Sequence, residues 1–307
     1  MRVVQSTKAK SFPLNPDIAG ALDGISEDPL REIVETIAIP RHFTAERDAN
    51  SRVADWIEEQ LRSFGYRVER QGEYRNLMTL PACPDRAVVL VGAHYDSVPR
   101  TPGADDNASA VAAMLGCAKA VAEYKDDLPV CFVAFNCEED GLLGSRDFVE
   151  NLVASGKLAV REAHVLEMVG YCDKRPGSQS LPPGLPIKLA SDRGDFLGIL
   201  GNKRSTALVD RLMSCAKTYV SDFPVLGLKI YFGLERFFPH LERSDHASFW
   251  NQGTPALMWT DTSEFRNPHY HQRSDTPETL DYEFLGNVTR LLTAQVLTSA
   301  QSELERS

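Results

Sequence analysis

The sequence predicts an α/β fold, a three-layer sandwich in which a mixed, mostly parallel central sheet has helices on both faces. Segments 88–92 and 129–136 are apolar on both faces, which is typical of strands buried inside such a sheet. Segments with helical periodicity alternate with these strands along the chain. Because this alternation has no internal repeats, it favours one sheet covered by helices over a repeat architecture.

The elements follow in order. Residues 29–39 read as a helix that ends at Pro40, and in 46–64 apolar residues recur at helical spacing up to Gly65. Alternating or apolar runs predict the strands 66–70, 76–80, 88–92, 129–136, 163–169, 225–232 and 254–259. The remaining predicted helices are 107–124, 145–153, 206–219, 244–251 and 280–297. Residues 1–26, rich in Pro, Lys and Ser, are predicted to be irregular, and residues 27–307 to form a single domain.

Composition limits the possible functions. The chain has 307 residues, of which 43% are hydrophobic, so a large core is available. A net charge of -10 argues against nucleic acid as a partner, because phosphate binding needs clustered Lys and Arg. No run is apolar enough to span a membrane, and no secretory signal is visible, so no membrane partner and a cytoplasmic location are expected. The six cysteines form no CxxC pair and are expected to be reduced.

Polar residues gather where predicted strands end. His94, Asp96, Asp105 and Asp106 follow the buried strand 88–92 within a short stretch. Asp96 lies two residues after His94, hence on the same side of the strand, and is well placed to orient its imidazole. Imidazole and carboxylate groups at a strand end are typical of a metal site. Asp106 is interpreted here as a helix cap rather than a ligand.

Three further segments add candidate ligands. Glu138 and Glu139 follow strand 129–136, Glu167 lies within the apolar strand 163–169, and His271 lies in a loop before the last helix. Ligands in open α/β sheets gather at the carboxyl ends of strands, so these residues can converge. A single acidic residue near a strand end is more often a solvated turn residue or a helix cap. Glu167 is the exception, because an unpaired carboxylate in an apolar strand is costly to bury.

Together these segments resemble the M28 family of zinc-dependent aminopeptidases. The motifs are His94-x-Asp96, Gly103-Ala-Asp-Asp106, Glu138-Glu139-x-Gly-Leu-x-Gly-Ser, Glu167 and Tyr270-His271-x-x-x-Asp275-Thr-Pro. The resemblance implies that residues 27–307 form a catalytic peptidase domain with two zinc ions. It further implies that Asp105 bridges the two ions, that His94 and Glu167 hold one, and that Glu139 and His271 hold the other. The family often has Asp at the position of Glu167.

The resemblance also suggests catalytic roles. Glu138 is expected to act as general acid/base, Asp96 to support His94, and Tyr270 to steady the oxyanion, although a packing role for Tyr270 is an equal alternative. Asp275 is expected to orient His271 as Asp96 orients His94. His269, two residues before His271, is the weaker ligand candidate because it lacks the Asp-Thr-Pro spacing.

Three functions remain open at this stage. The first is an aminopeptidase that acts on peptides with a free N-terminus. The second is a glutaminyl cyclase, which resembles the same family but uses one zinc and commonly has Trp where this chain has Tyr270. The third is a non-catalytic peptide-binding homologue that has lost ligands. The five ligands that the resemblance implies, together with Glu138, favour the aminopeptidase.

Overall fold

One mixed sheet organises the protein. The computed structural model describes residues 1–125, 127–189 and 191–304. In these ranges the strands are β1 (Arg2–Gln5), β2 (Val68–Gln71), β3 (Asn76–Thr79), β4 (Val88–His94), β5 (Val130–Phe135), β6 (Val160–Leu166), β7 (Leu197–Gly201), β8 (Val225–Lys229) and β9 (Ala256–Thr260). Their order across the sheet is β1-β8-β7-β9-β6-β4-β5-β3-β2.

Parallel pairing is concentrated in the middle of the sheet. Strands β9, β6, β4 and β5 are neighbours and run parallel to one another. Antiparallel pairs join β3 to β5 on one side and β7 to β9 on the other. The predicted α/β class with a mixed sheet is confirmed, and its parallel part is the central part. Parallel strands place their carboxyl ends at one edge, which is where the polar motifs lie.

Helices pack on both faces of this sheet. They are α1 (Pro16–Asp23), α2 (Glu27–Ile37), α3 (Arg47–Ser63), α4 (Ala110–Tyr124), α5 (Leu143–Phe148), α6 (Thr206–Tyr219), α7 (His246–Gln252) and α8 (Tyr282–Leu304). Strand β4 shows why two layers are needed. Val89 and Val91 join the apolar cluster under α2, α4 and α8, whereas Val88 and Leu90 join the opposite cluster with Phe148. Successive side chains of a strand point to opposite faces, so a fully apolar strand requires cover on both.

The N-terminal segment corrects one prediction. Residues 1–26 were predicted to be irregular, but β1 pairs antiparallel with β8 and α1 packs in the core through Ile18. Asn15 caps α1 by accepting hydrogen bonds from the backbone of Asp17 and Ile18, and Pro16 occupies the first helical turn. Residue 26 is therefore no structural boundary. An edge strand of four residues carries too little pattern of its own to be recognised without its partner.

We expect Ile18→Ala to lower the free energy of unfolding by about 2–4 kcal/mol, because truncation of a buried Ile leaves a cavity. Ile18 is only 1% exposed. Leu14→Ala is the matched control, since Leu14 is 56% exposed and its truncation should change stability by less than about 0.5 kcal/mol. Urea denaturation of both variants measures the difference. Equal stabilities would contradict the assignment of α1 to the core.

Other differences are local. Strand β7 was not predicted, since its five residues include two glycines. Helix α4 begins at Ala110 rather than at 107, because residues Ala104–Ser109 form an irregular π-type turn. Cys83, Cys117, Cys131, Cys137, Cys172 and Cys215 are all free thiols. Among the described helices, none has the length and apolar character needed to cross a membrane.

Candidate metal centre

Four parallel strands deliver the polar side chains to one edge of the sheet. His94 ends β4, Glu138 and Glu139 follow β5, and Glu167 follows β6 directly. The loop after β9 carries His271. Glu167 was predicted to lie within its strand, but β6 ends one residue earlier, so its carboxylate emerges at the strand end. The predicted convergence of these segments is present in the structure.

His94 is the centre of a first histidine–carboxylate group. Its Nε2 atom lies 3.3 Å from Glu167 Oε2 and 3.4 Å from Asp106 Oδ1. Glu138 Oε2 lies farther away, at 4.0 Å. His94 is completely buried, and Asp106 and Glu167 are nearly so. A buried imidazole and two carboxylates at these distances suit one cation.

His271 forms the second group. Its Nε2 atom lies 3.1 Å from Asp106 Oδ2 and 3.5 Å from Glu139 Oε2. The side chain of His271 is 36% exposed, so this group faces the open side of the site. Asp106 uses one oxygen toward each histidine and thereby joins the two groups. Such an arrangement matches two cations that share a carboxylate.

Asp106, and not Asp105 as predicted, occupies this central position in the structure. The carboxylate of Asp105 points the other way, where Oδ1 accepts hydrogen bonds from Gly170 N and Ser109 Oγ, and Oδ2 accepts one from Asn267 Nδ2 at 2.6 Å. Its oxygens are occupied by neutral donors away from both histidines. The interpretation of Asp106 as a cap is wrong as well, since its carboxylate faces His94 and His271. Adjacent residues of an irregular turn point in different directions, and no sequence period distinguishes the two aspartates.

Asp275 has a different role from the one predicted. It was expected to orient His271, but its carboxylate accepts hydrogen bonds from the backbone N–H groups of Asp105, at 2.9 Å, and Asp106, at 3.1 Å. It therefore fixes the turn that presents the Asp106 carboxylate. Burial raises the pKa of Asp275 to about 8, and the neighbouring charges of Asp105 and Asp106 act in the same direction.

Asp96 lies as the sequence predicts, beside His94. Its Oδ1 atom is 3.3 Å from His94 Nδ1, and both side chains are completely buried. The same carboxylate accepts hydrogen bonds from the backbone N–H groups of Glu138 and Glu139. Asp96 thus couples the end of β4 to the end of β5. It supports the proposed role of orienting His94, and it also positions the two glutamates.

Arg41 was missed by the sequence analysis. Its guanidinium is fully buried and donates hydrogen bonds to the backbone carbonyls of Tyr95, Pro102 and Gly103. These bonds hold the loop between β4 and the Asp106 turn. Burial lowers the pKa of Arg41 to about 10, although Asp96 and other nearby carboxylates oppose this effect, so the group stays charged at neutral pH. No periodic pattern marks such a residue, because its partners are carbonyl groups distant in sequence.

Glu138 lies beside the two groups and faces a large cavity. Burial raises its pKa well above the ordinary value, and the charges of Glu167 and Glu139 add to this, although His94 opposes it. Glu138, Glu139, Glu167 and His271 all line the cavity, which has a volume of about 520 Å³. A carboxylate with a raised pKa at a cavity wall is suited to accept a proton.

Residues at the rim and behind the site complete the arrangement. Ser244 Oγ donates a hydrogen bond of 2.7 Å to Glu167 Oε2. Tyr270 stacks on His271, with ring centroids 3.7 Å apart, and its hydroxyl accepts a hydrogen bond from Arg243. Tyr270 therefore lines the cavity next to a candidate ligand, as expected of either a packing or a catalytic residue. His269 bonds to Ser274 and belongs to neither group.

The histidines and carboxylates shift one another's protonation. Burial lowers the pKa of both histidines, but the charges of Glu167 and Glu138 raise that of His94 well above its ordinary value. Asp106 and Glu139 likewise raise the pKa of His271 to about 10. The carboxylates around both histidines therefore favour positive charge at this place, and divalent cations can supply it.

The residues fit zinc by their donor atoms. In the part of the chain that the structure describes, His94 Nε2, Asp106 Oδ1 and Glu139 Oε1 are buried without a hydrogen-bond partner, whereas His94 Nδ1 faces Asp96. Ligand atoms of His94, Glu138 and Glu167 lie within 4.8 Å of one another, and so do those of His94, Asp106 and Glu139. Imidazole nitrogen and carboxylate oxygen are common zinc ligands. Buried polar atoms without partners are costly, so a bound cation explains them.

A mixed α/β sheet with two joined histidine–carboxylate groups at its strand ends defines a metal-dependent hydrolase by fold and site. The model of peptidase family M28 matches residues 77–186 and 201–296. The Escherichia coli K12 protein YfbL, which is described as uncharacterized, is 34% identical over 256 residues, 78% of each chain. The chain therefore belongs to peptidase family M28, a family of peptide-bond hydrolases.

A second relative is the aminopeptidase YwaD of Bacillus subtilis 168. It is 28% identical over 220 residues, which are 70% of this chain and 42% of YwaD. The chain thus spans less than half the length of that relative.

Solved structures agree with this family. The Legionella pneumophila LapA aminopeptidase has a TM-score of 0.74 and 21% identity, covering 95% of this chain and 77% of that one. A zinc aminopeptidase of Bacillus subtilis has a TM-score of 0.55 and 25% identity, covering 73% and 50%. A glutaminyl cyclase of Porphyromonas gingivalis has a TM-score of 0.65 and 20% identity, covering 90% and 99%. The likenesses to LapA and to the cyclase show the shared fold alone.

Proposed function

We propose that the protein is a two-zinc aminopeptidase that removes N-terminal residues from peptides. The observation that carries this proposal is the position of Asp106 between two histidine–carboxylate groups. In the proposed site, His94 and Glu167 would hold one zinc and His271 and Glu139 the other, with Asp106 shared between the two groups. Zinc held there would supply Lewis-acid chemistry, which polarises a carbonyl and lowers the pKa of water.

Glu138 is the proposed general base and acid. It faces the cavity and belongs to neither pair that Asp106 joins, so its carboxylate remains available. It takes a proton from the attacking water and returns it to the leaving amine, which completes hydrolysis of the peptide bond. Tyr270, on the same cavity wall, is the proposed hydrogen-bond donor to the oxyanion.

Restriction to the N-terminus follows from the chemistry of the free amine. The cavity end near the histidines is lined by Glu138, Glu139 and Glu167. A free N-terminal amine can donate hydrogen bonds to carboxylates there, and its lone pair can bind a cation that they hold, whereas the lone pair of an internal amide nitrogen is delocalised into its carbonyl. The proposed substrates are therefore peptides with a free N-terminus.

The direct test combines two measurements on the purified chain. Bound zinc is counted by atomic absorption, and release of nitroaniline is followed for a panel of aminoacyl nitroanilides with matched N-acetylated compounds. The proposal expects two zinc ions per chain and hydrolysis of the free-amine compounds alone. If zinc binds and no panel member is hydrolysed, the aminopeptidase proposal is wrong.

We expect Asp96→Ala to weaken zinc binding about 10- to 100-fold, because His94 loses the carboxylate that orients it. A titration with zinc buffers measures the affinity. Asp48→Ala is the control, because it removes the same charge from an exposed residue in the first turn of α3 that does not line the cavity. Equal affinities of the two variants would contradict the proposed role of Asp96.

A glutaminyl cyclase is the second candidate, because the chain shares its fold with the Porphyromonas gingivalis enzyme. That function expects one zinc and release of ammonia from peptides with N-terminal glutamine. Both histidine–carboxylate groups are complete here, which favours the aminopeptidase. A non-catalytic peptide-binding role is the third, and it has no observation in its favour. The cytoplasmic location and the absence of nucleic-acid and membrane partners stay predictions.

A further inference from the structure

The cavity at the candidate site is much longer than the site itself. At one end it is lined by Glu138, Glu167 and His271, and at the other end it reaches Val3 in the edge strand β1. Strands β9, β7, β8 and β1 are consecutive neighbours. Since neighbouring strands lie about 4.8 Å apart, the floor from β9 to β1 extends for roughly 14 Å. We call the part over β7, β8 and β1 the distal chamber.

The floor of the distal chamber is a continuous apolar row. Met258 of β9 pairs with Leu200, Leu200 pairs with Leu228, and Leu228 pairs with Val3. Directly paired residues project from the same face of a sheet, so these side chains form one line across it. All four line the cavity, and so does Leu226, two residues before Leu228. The floor thus offers hydrophobic surface along its whole length.

The roof is an extended segment rather than a helix. Leu185, Ile187 and Leu189 line the cavity, while Pro186 and Lys188 between them are exposed. This alternation points every second side chain inward. The backbone hydrogen bonds described from Leu185 and Ile187 stay inside the segment. Apolar side chains therefore hold the roof over the floor, and a bound apolar chain can replace those contacts.

The size of the cavity exceeds the need of one ordinary side chain. A cavity of about 150 Å³ lined by apolar residues already holds a benzene molecule. The present cavity, about 520 Å³, is more than three times larger. Its rim on the histidine side is polar, because Arg243 there is paired with Glu264 at 2.6 Å. A peptide chain fits the polar rim, and an apolar substituent fits the distal chamber.

We propose that the distal chamber binds a long unbranched aliphatic chain on the N-terminal residue of the substrate, a 2-aminoalkanoyl group of about ten carbons. The proposal rests on the aminopeptidase function, since the amine and carbonyl of that residue must lie at the histidine–carboxylate groups. The aliphatic chain then runs over Met258 and Leu200 toward Leu226. Each methylene that enters the chamber leaves water for an apolar surface.

The test uses a series of substrates that differ only in chain length. Nitroanilides of 2-aminohexanoic, 2-aminooctanoic and 2-aminodecanoic acid are compared by kcat/KM. We expect an increase of roughly fourfold for each added methylene, as burial of one such group predicts. Calorimetry with the corresponding free amino acids gives a second readout, in which Kd should fall with chain length. A flat series in calorimetry, or hydrolysis that slows as the chain grows, overturns the proposal.

Variants locate the effect. Leu226→Trp fills the distal chamber and should lower the ratio of kcat/KM for the ten-carbon to the six-carbon substrate at least tenfold. Leu14→Trp adds the same indole at a residue that is 56% exposed and should leave the ratio unchanged. An unchanged ratio in Leu226→Trp overturns the proposal. If no nitroanilide is hydrolysed, the aminopeptidase function has failed, and the same variants are compared by calorimetry, where Leu226→Trp must remove the dependence on chain length.

Discussion

Glu138→Gln is expected to lower kcat by about 10²- to 10⁴-fold, because the amide cannot accept the proton that general base catalysis requires. The exchange keeps the size of the side chain. The Glu138 carboxylate lies 4.0 Å from His94 Nε2, too far for a hydrogen bond, so the exchange should leave both histidine–carboxylate groups intact. Steady-state kinetics with leucine nitroanilide measures kcat, and atomic absorption measures zinc.

The diagnostic result is loss of activity with zinc retained. Glu150→Gln is the matched control, because it removes the same charge from an exposed residue. Its kcat should equal that of the unmodified protein. If the kcat of Glu138→Gln stays within about threefold of that of the unmodified protein, Glu138 does not carry the proton, because removal of a general base costs far more than that. If it loses zinc as well, Glu138 is a ligand and the division of roles between Glu138 and Glu139 must be reversed.

Features tied to a regular pattern were predictable from the sequence. Strand β4 is apolar on both faces, and a strand of that kind must be buried in a parallel sheet. From there, the convergence of His94, Glu139 and Glu167 follows, because the carboxyl ends of parallel strands share one edge. The position of Asp96 follows from the two-residue period of a strand. In each case a repeat of the backbone fixes the direction of the side chain.

Features without a repeat were not predictable. Asp105 and Asp106 lie in a turn where the residues Asp106 and Asn107 have non-helical backbone angles, so no period tells which carboxylate faces the histidines. Asp275 and Arg41 act through backbone groups that only the folded chain brings near. Strand β1 is defined by its pairing with β8, whose paired residues lie 221 to 227 positions away in the sequence, rather than by its own four residues.

The assignment of the central carboxylate to Asp106 rather than Asp105 leads to the sharpest prediction about the metal centre. We expect Asp106→Asn to lower the zinc content of the folded protein and to abolish most of the activity. The carboxylate of Asp106 meets His94 through one oxygen and His271 through the other, and a neutral amide can hold only one cation through its oxygen. Loss of one negative charge between two cations further weakens both sites.

Asp105→Asn is the matched variant, one residue away and with the same chemical change. Asp105 accepts hydrogen bonds from Gly170, Ser109 and Asn267. The NH₂ group of the introduced asparagine would therefore face another hydrogen-bond donor. We expect Asp105→Asn to lower the free energy of unfolding by about 1–3 kcal/mol, the cost of leaving buried donors without an acceptor, while two zinc ions remain bound.

Thermal unfolding with and without zinc separates the variants, because a ligand raises Tm only where it binds the folded chain. Zinc should raise the Tm of Asp105→Asn as much as that of the unmodified protein, and that of Asp106→Asn much less. The reverse order would return the bridging role to Asp105, since the variant that loses the response to zinc is the one whose carboxylate holds the metal.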